Sequence, residues 1–152
     1  MGSEAGETLT VSRTIPAPRK RVFGAWTSPS ELKKWWNIGE GWKTSSAEFD
    51  LRVGGKFSIA NEPLGGGVVM ITGEFLVVEP PSKLAYTWVF PGEKTEESMV
   101  TVEFRDLGKQ TEVVVTHSKA SKAMLLGAIE GWDAALVGLE VYLGRLAMGD
   151  NT

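Results

Sequence analysis

The sequence predicts an α+β fold: one strand, two short helices, about six antiparallel strands and one long C-terminal helix. Three observations carry this. Leu125, Ile129, Trp132, Leu136, Leu139, Leu143 and Leu146 recur at alternating steps of four and three, on one stripe of a helix from Ser121 to about Met148. Before it, short runs rich in apolar and β-branched residues are separated by short Gly- and Pro-containing turns, which predicts a meander. A sheet of six or seven such strands twists and curls, and only the C-terminal helix is long and apolar enough to fill its concave face.

In order, Thr8 to Ile15 alternates, with Leu9, Val11, Arg13 and Ile15 on one face and threonines and Ser12 opposite, a half-buried strand. Pro16 and Pro18 end it, and Pro18 suits the start of a helix over Arg19 to Thr27 with Val22, Phe23 and Trp26 on one face. Ser28 with Glu31 three residues on fits a capping box for a second short helix, Ser30 to Trp36, carrying Leu32, Trp35 and Trp36. Strands follow at Ser45–Leu51, Lys56–Ala60, Val68–Val78, Leu84–Phe90, Ser98–Arg105 and Thr111–His117. Gly54-Gly55, Gly65 to Gly67, Pro80-Pro81, Pro91-Gly92 and Leu107 to Gln110 punctuate them. The final helix starts at Ser121 as N-cap and stops at Gly149-Asp150-Asn151. Its roughly 26 residues reach about 39 Å. Gly127, Gly131 and Gly138 inside it mark either close backbone packing or room left beside the sheet. Residues 8–148 read as a single domain, with residues 1–7 and 149–152 as disordered tails.

Of the 152 residues, 42% are hydrophobic and 23% charged, as in an ordinary globular domain. A net charge of -3 gives no electrostatic footprint for nucleic acid, and no apolar run is long enough to span a bilayer. Without cysteine there is no thiolate nucleophile, disulfide framework or thiolate metal site, and a single histidine argues against catalytic zinc. The N-terminus has no apolar segment of the secretory kind, so a cytoplasmic location is expected. Six tryptophans are many for this length, and they serve both cores and the flat walls of ligand pockets.

Several motifs recur in a fixed order: Ile15-Pro16-Ala17-Pro18, Val22-Phe23 with Trp26, Leu32 with Trp35-Trp36, and Asp50-x-Arg52-x-Gly54-Gly55-x-Phe57. Gly73, Pro80-Pro81, Leu84-x-Tyr86-Thr87-Trp88, Val100-Thr101-Val102-x-Phe104 and Gly131-Trp132 continue the series. Together, over about residues 9 to 146, they resemble the START-like (SRPBCC) superfamily, nearest to the branch named for the activator of the heat-shock-protein-90 ATPase, in its C-terminal domain. The resemblance implies a helix-grip fold, a curved sheet wrapped around the long helix with a cavity between them. One departure is Val77, where the family pattern carries an acidic residue two after Phe75; if it faces inward, the cavity is more apolar than usual.

The candidate ligand-lining set is Trp35, Trp36, Trp42, Phe57, Tyr86, Trp88, Met99, Phe104, His117, Met124 and Trp132. Trp35, Trp36 and Trp42 flank the loop where the family's cavity opens, and Met99 and Met124 supply an adaptable wall. His117 shares a face with Val113 and Val115, and as the one histidine it is the weak candidate for a general base. No G-x-S-x-G elbow accompanies it. Asp50 and Arg52 read as a structural ion pair beside Gly54-Gly55, and the Glu93–Glu97 cluster with Lys94 as a solvated turn. The leading functional expectation is binding of a small hydrophobic molecule, a lipid, polyketide or aromatic metabolite, without cofactor or metal, by a monomer or weak homodimer. Two alternatives stand beside it: a module that interacts with a chaperone, as the family name implies, and a cyclase- or hydrolase-type enzyme using the same cavity, as superfamily relatives imply.

Overall fold

A computed structural model of the chain describes residues 7–39, 41–90 and 96–149, with the backbone alone at residues 7, 90, 96, 123, 124 and 146–149. The elements run β1 (Glu7–Ile15), α1 (Arg19–Thr27), α2 (Pro29–Trp35), β2 (Lys43–Phe49), β3 (Lys56–Glu62), β4 (Val69–Glu79), β5 (Lys83–Phe90), β6 (Glu96–Asp106), β7 (Thr111–Ala120) and α3 (Lys122–Gly149). The seven strands form one antiparallel sheet in the order β1-β7-β6-β5-β4-β3-β2. β2 to β7 is the expected meander, and β1 joins it beside the last strand, with Leu9 opposite His117 and Ile15 opposite Thr111. The elements include Glu7 and Gly149, one residue into each stretch expected as a tail; the remainder of those stretches, with Pro91-Gly92 and residues 93–95, lies outside the described residues.

The start signals act as their chemistry requires. Ser28 caps α2, its hydroxyl accepting from the Glu31 backbone N–H at 3.4 Å, with Pro29 in the first turn. Pro18, extended at φ -65°, leads into α1, whose Val22, Phe23, Ala25 and Trp26 are buried. Asp50 and Arg52 pair at 2.9 Å, but in the β2–β3 connection rather than on a strand, since β2 ends at Phe49. Gly54 holds φ +86° there, and a Cβ on Gly55 would stand 2.0 Å from the Asp50 carbonyl oxygen. The connection is tied to β4 by Gly54 N–H to Phe75 O and Phe75 N–H to Gly55 O, both 2.8 Å.

All three helices lie on the concave face. α3 packs on β1 and β7, α1 on β6, and α2 on β2, so the short helices share the filling expected of α3 alone. The buried face of α3 runs through Leu125, Trp132, Ala135, Leu136, Leu139 and Leu143. Ile129, expected on that stripe, is 44% exposed, because the buried arc is centred toward Ala128 and Ala135 and leaves Ile129 on its rim. The Leu146 side chain lies outside the described residues.

Of the glycines in α3, Gly138 meets the rest of the chain most closely. A Cβ there would stand 2.3 Å from the Trp35 carbonyl oxygen, at the end of α2. This glycine serves close packing, and α3 sits tight against α2. The three helices are also joined by polar groups. Glu31 accepts from Arg21 of α1 at 2.7 Å and from the Tyr142 hydroxyl of α3 at 2.7 Å. The hydrogen bond from Arg21, more than any other cause, holds the Glu31 carboxyl below the usual range. Since the site is partly solvated, Tyr142→Phe is expected to lower unfolding free energy by about 1 kcal/mol in urea titration, with the fold unchanged.

Candidate functional site

Strand parity assembles the site. Phe57 and Ile59 of β3, Phe75 of β4, and Leu84, Tyr86 and Trp88 of β5 all face the concave side, because side chains two apart share a face. Phe57 lies directly opposite Gly73 on β4. A Cβ on Gly73 would meet the Phe57 ring at 2.5 Å and the Thr87 carbonyl oxygen at 2.0 Å, so only glycine lets the Phe57 ring lie there. Phe57 then packs edge-on to Tyr86 with ring centroids 5.1 Å apart, and Phe75 to Tyr86 at 5.8 Å. From the helices, Trp36 approaches Trp88 at 6.0 Å and Trp132 at 5.5 Å, while Trp132 lies 5.1 Å from Trp88. Such offset and edge-on pairs add about 0.5–1.5 kcal/mol each to the burial of their rings.

Within this set lies a void of about 20 Å³, walled by Trp26, Thr27, Leu32, Trp36, Phe49, Phe57, Ile59, Phe75, Leu84, Tyr86 and Trp88. No charged side chain contributes to the wall. The polar groups around it are held from behind: the Trp36 indole N–H donates to Asn61 Oδ1 at 3.0 Å, and the Thr27 hydroxyl to Phe23 O at 2.9 Å. Asn61, fully buried, in turn donates to Ile59 O and Val69 O, each at 3.1 Å. Burial pushes the Tyr86 phenol well up, a hydrogen bond from the Trp26 side chain opposing it, so Tyr86 is neutral at every physiological pH. Two larger hollows, of about 420 and 540 Å³, are surface grooves edged by charged side chains, one on the outer face of β3 to β5 and one between α2 and α3.

Four of the eleven expected lining residues meet at the void: Trp36, Phe57, Tyr86 and Trp88. Trp35 is buried beside them, its indole donating to Ala25 O at 3.0 Å. Phe104 is buried under α1, 5.2 Å from Phe23 and 5.8 Å from Trp26. Trp42 stays half-buried in the loop before β2, near Gly39. Met99 is a correction: its neighbours Val100 and Val102 face the core, so Met99 faces the opposite side of β6. The Met124 side chain lies outside the described residues. Trp26, Phe49, Phe75 and Leu84 belong to the wall without having been expected there. For Leu84 the signal was available, since it precedes Tyr86 by two on one strand, whereas Phe75 reaches the wall by lying opposite Tyr86 across the β4–β5 pair. Val77 follows a bulge that sets it opposite Ala85, away from the core-facing pair Val78 and Leu84, so the departure at that position does not reach the void.

His117 is 1% exposed and shares the core-facing side of β7 with Val113 and Val115. It works as a strut. The Trp132 indole, which can only donate, gives its N–H to Nδ1 at 3.0 Å, so Nδ1 is the unprotonated nitrogen. Nε2 therefore carries the hydrogen and donates to Ser98 Oγ at 2.7 Å, while Ser98 Oγ also bonds Trp88 O at 3.3 Å. A general base needs a lone pair toward its nucleophile, and this tautomer presents a hydrogen to Ser98 instead. Burial lowers the imidazole pKa to about 4, so the ring is neutral near pH 7. Among the described residues no three histidine or carboxylate side chains stand together as a metal site. Nor is any described helix long and apolar enough to cross a membrane.

The architecture has many solved counterparts. A protein from Nitrosomonas europaea superposes with a TM-score of 0.79 at 22% identity, covering 97% of this chain and 99% of its own. One from Mesorhizobium loti gives 0.74 at 27% identity, with 91% and 98% covered. An AHSA1-like protein from Aeromonas hydrophila gives 0.74 at 23% identity, with 93% and 94% covered. No functionally curated protein matches the chain. The family model described as Activator of Hsp90 ATPase homolog 1-like protein matches residues 16–144, from the proline after β1 almost to the end of α3, and the chain belongs to that family.

Proposed function

We propose that the chain binds a small, predominantly apolar molecule, a lipid, polyketide or aromatic metabolite, among the rings between β3 to β5 and the short helices. The observation that supports this reading is the void inside an uncharged aromatic wall. The family is one known for ligand binding, which agrees with it. Pockets for small molecules typically measure about 300–1,000 Å³, and a void of about 20 Å³ holds one water at most. Binding thus proceeds through a minor, expanded state in which rings swing away from Tyr86, and the cost of opening lowers the apparent affinity.

The test is a titration with naphthalene, decanoate and a flavonoid, read by amide NMR shifts. The expected result is shifts gathered around Trp36, Phe57, Tyr86 and Trp88, with the outer face of the sheet silent. A well-dispersed spectrum unmoved by every compound at near-millimolar concentration would mean that the rings are core alone. The chaperone reading carried by the family name would then lead, to be tested by stimulation of the chaperone ATPase.

A further inference from the structure

The outward face of α3 carries apolar side chains where a helix facing water would be polar. Leu126, Glu130, Asp133, Val137 and Val141 follow one another at steps of four, three, four and four. They therefore stand on one line of the helix, opposite the buried Trp132, Ala135 and Leu139. Leu126 is 61% exposed, Val141 45% exposed and Val137 half-buried. An apolar line rimmed by charge on an otherwise buried helix marks a contact surface. Beside it runs the groove of about 540 Å³ between α2 and α3, lined by Ala134, Val137 and Val141 and edged by Lys34, Asp133 and Arg145. The charges of α3 on this face are segregated: Glu130 and Asp133 precede Val137, and Arg145 follows it. All three are exposed, and none enters an ion pair among the described residues, whereas Glu140 on the flank pairs with Arg13 of β1.

We infer that this face of α3 packs against the same face of a second copy of the chain, antiparallel, around a two-fold axis near Val137. The order of charges selects that occupant. At about 1.5 Å per residue, Glu130 stands about 10 Å before Val137 along the helix and Arg145 about 12 Å after it. Turning a second helix end for end about Val137 brings Glu130 of each copy level with Arg145 of the other. A surface acidic in one half, basic in the other and apolar between them complements itself under such a rotation. A partner of a single charge sign would match one half and oppose the other. A parallel pair would set Glu130 against Glu130 and Arg145 against Arg145, and would also align the two helix dipoles. Val137 and Val141 supply the apolar centre, which the single chain leaves facing the groove and solvent. The surface lies apart from the void, so the inference does not rest on ligand binding.

Sedimentation equilibrium tests this on wild type, Val141→Glu, Arg145→Glu and the exchange variant that combines Glu130→Arg with Arg145→Glu. The exchange leaves the net charge unchanged. All three positions are exposed, so the variants should keep the wild-type circular dichroism. Wild type should form a dimer that dissociates at about 10–100 μM, as suits a small interface. Val141→Glu brings two carboxylates into the apolar centre, and Arg145→Glu sets acid against acid at both ends. Each should weaken the dimer by about tenfold or more. The exchange variant should return to within about threefold of wild type, because each new arginine then meets a new glutamate. Should Val141→Glu lose its fold, Arg145→Glu and the exchange variant carry the same decision. A wild type that stays monomeric at about 1 mM would overturn the inference. So would a dimer unchanged by Val141→Glu or by Arg145→Glu, which places the contact elsewhere. An exchange variant as weak as Arg145→Glu alone would overturn it too, by removing the antiparallel pairing.

Discussion

Gly138→Ala should cost the protein about 3 kcal/mol or more, while Gly127→Ala, eleven residues earlier in the same helix, should stabilise it by up to about 1 kcal/mol. The two glycines have equal intrinsic cost, since each gives up backbone freedom that alanine would not, about 1 kcal/mol in a helix interior. Their surroundings decide the sign. At Gly138 an added Cβ would stand 2.3 Å from the Trp35 carbonyl oxygen and 3.0 Å from Asn37 Nδ2. The first of these is backbone at the end of α2, which cannot rotate aside, so α3 or α2 must shift. Overpacking of this kind costs about 1–3 kcal/mol where side chains yield and more where backbone must. The movement would also disturb Asn37, which donates to Ala134 O on α3 at 3.4 Å, and Trp36, which walls the void. Around Gly127 nothing stands within 4 Å, so alanine there gains its propensity at no steric cost. Urea unfolding of both variants checks this. Equal effects of the two substitutions would mean that α3 is not seated on α2 as described.

What the sequence made legible, and what it did not, follows from the range of the interaction involved. The meander and the long helix depend on periodicity, which is local, and they appear as read. Facing within strands is local too: Tyr86 with Trp88, and Val100 with Phe104, stand as their alternation requires. The soft thioether of Met99 suits a pocket wall, yet the same alternation that places Val100 inward turns Met99 away. Ile129 fits the heptad-like count but not the arc that the sheet covers, which depends on how α3 rolls against β1 and β7. The contribution of Trp26 to the wall depends on how α1 closes over the sheet, and that of Phe49 on the pairing of β2 with β3, neither of which a local pattern contains. The same holds for Glu31, whose partner Tyr142 lies 111 residues away. Whether the interior is hollow or filled is the least legible property of all. It turns on ring rotamers and on one glycine, Gly73, that lets Phe57 lie flat against its neighbour strand.

The second large effect is a loss of stability in mild acid. His117 is buried between Ser98 and Trp132, and in the unfolded chain its pKa returns to the ordinary value of about 6.5. In the folded chain burial lowers it to about 4. The unfolded state therefore binds the proton first, and stability falls as pH drops through the interval between those values. The contribution is intact above about pH 6.5, declines steadily below it, and is fully lost by about pH 4. At about 1.4 kcal/mol per pH unit this amounts to about 3 kcal/mol, a large share of the 5–15 kcal/mol typical of a domain. Geometry gives the same sign, because a proton on Nδ1 would face the Trp132 N–H, two donors with nothing between them. Glu31 acts in a lower window: its folded pKa is depressed, so its contribution fades only as pH falls below the ordinary carboxylate value. His117→Gln separates the two, since glutamine supplies both an acceptor and a donor but does not titrate. Unfolding free energies of wild type and variant, measured between pH 7 and pH 4, should converge toward or cross each other as pH falls. Parallel curves would place the imidazole in contact with water and leave Trp132 without its acceptor. They would also loosen the packing behind Trp88, on which the shape of the void depends.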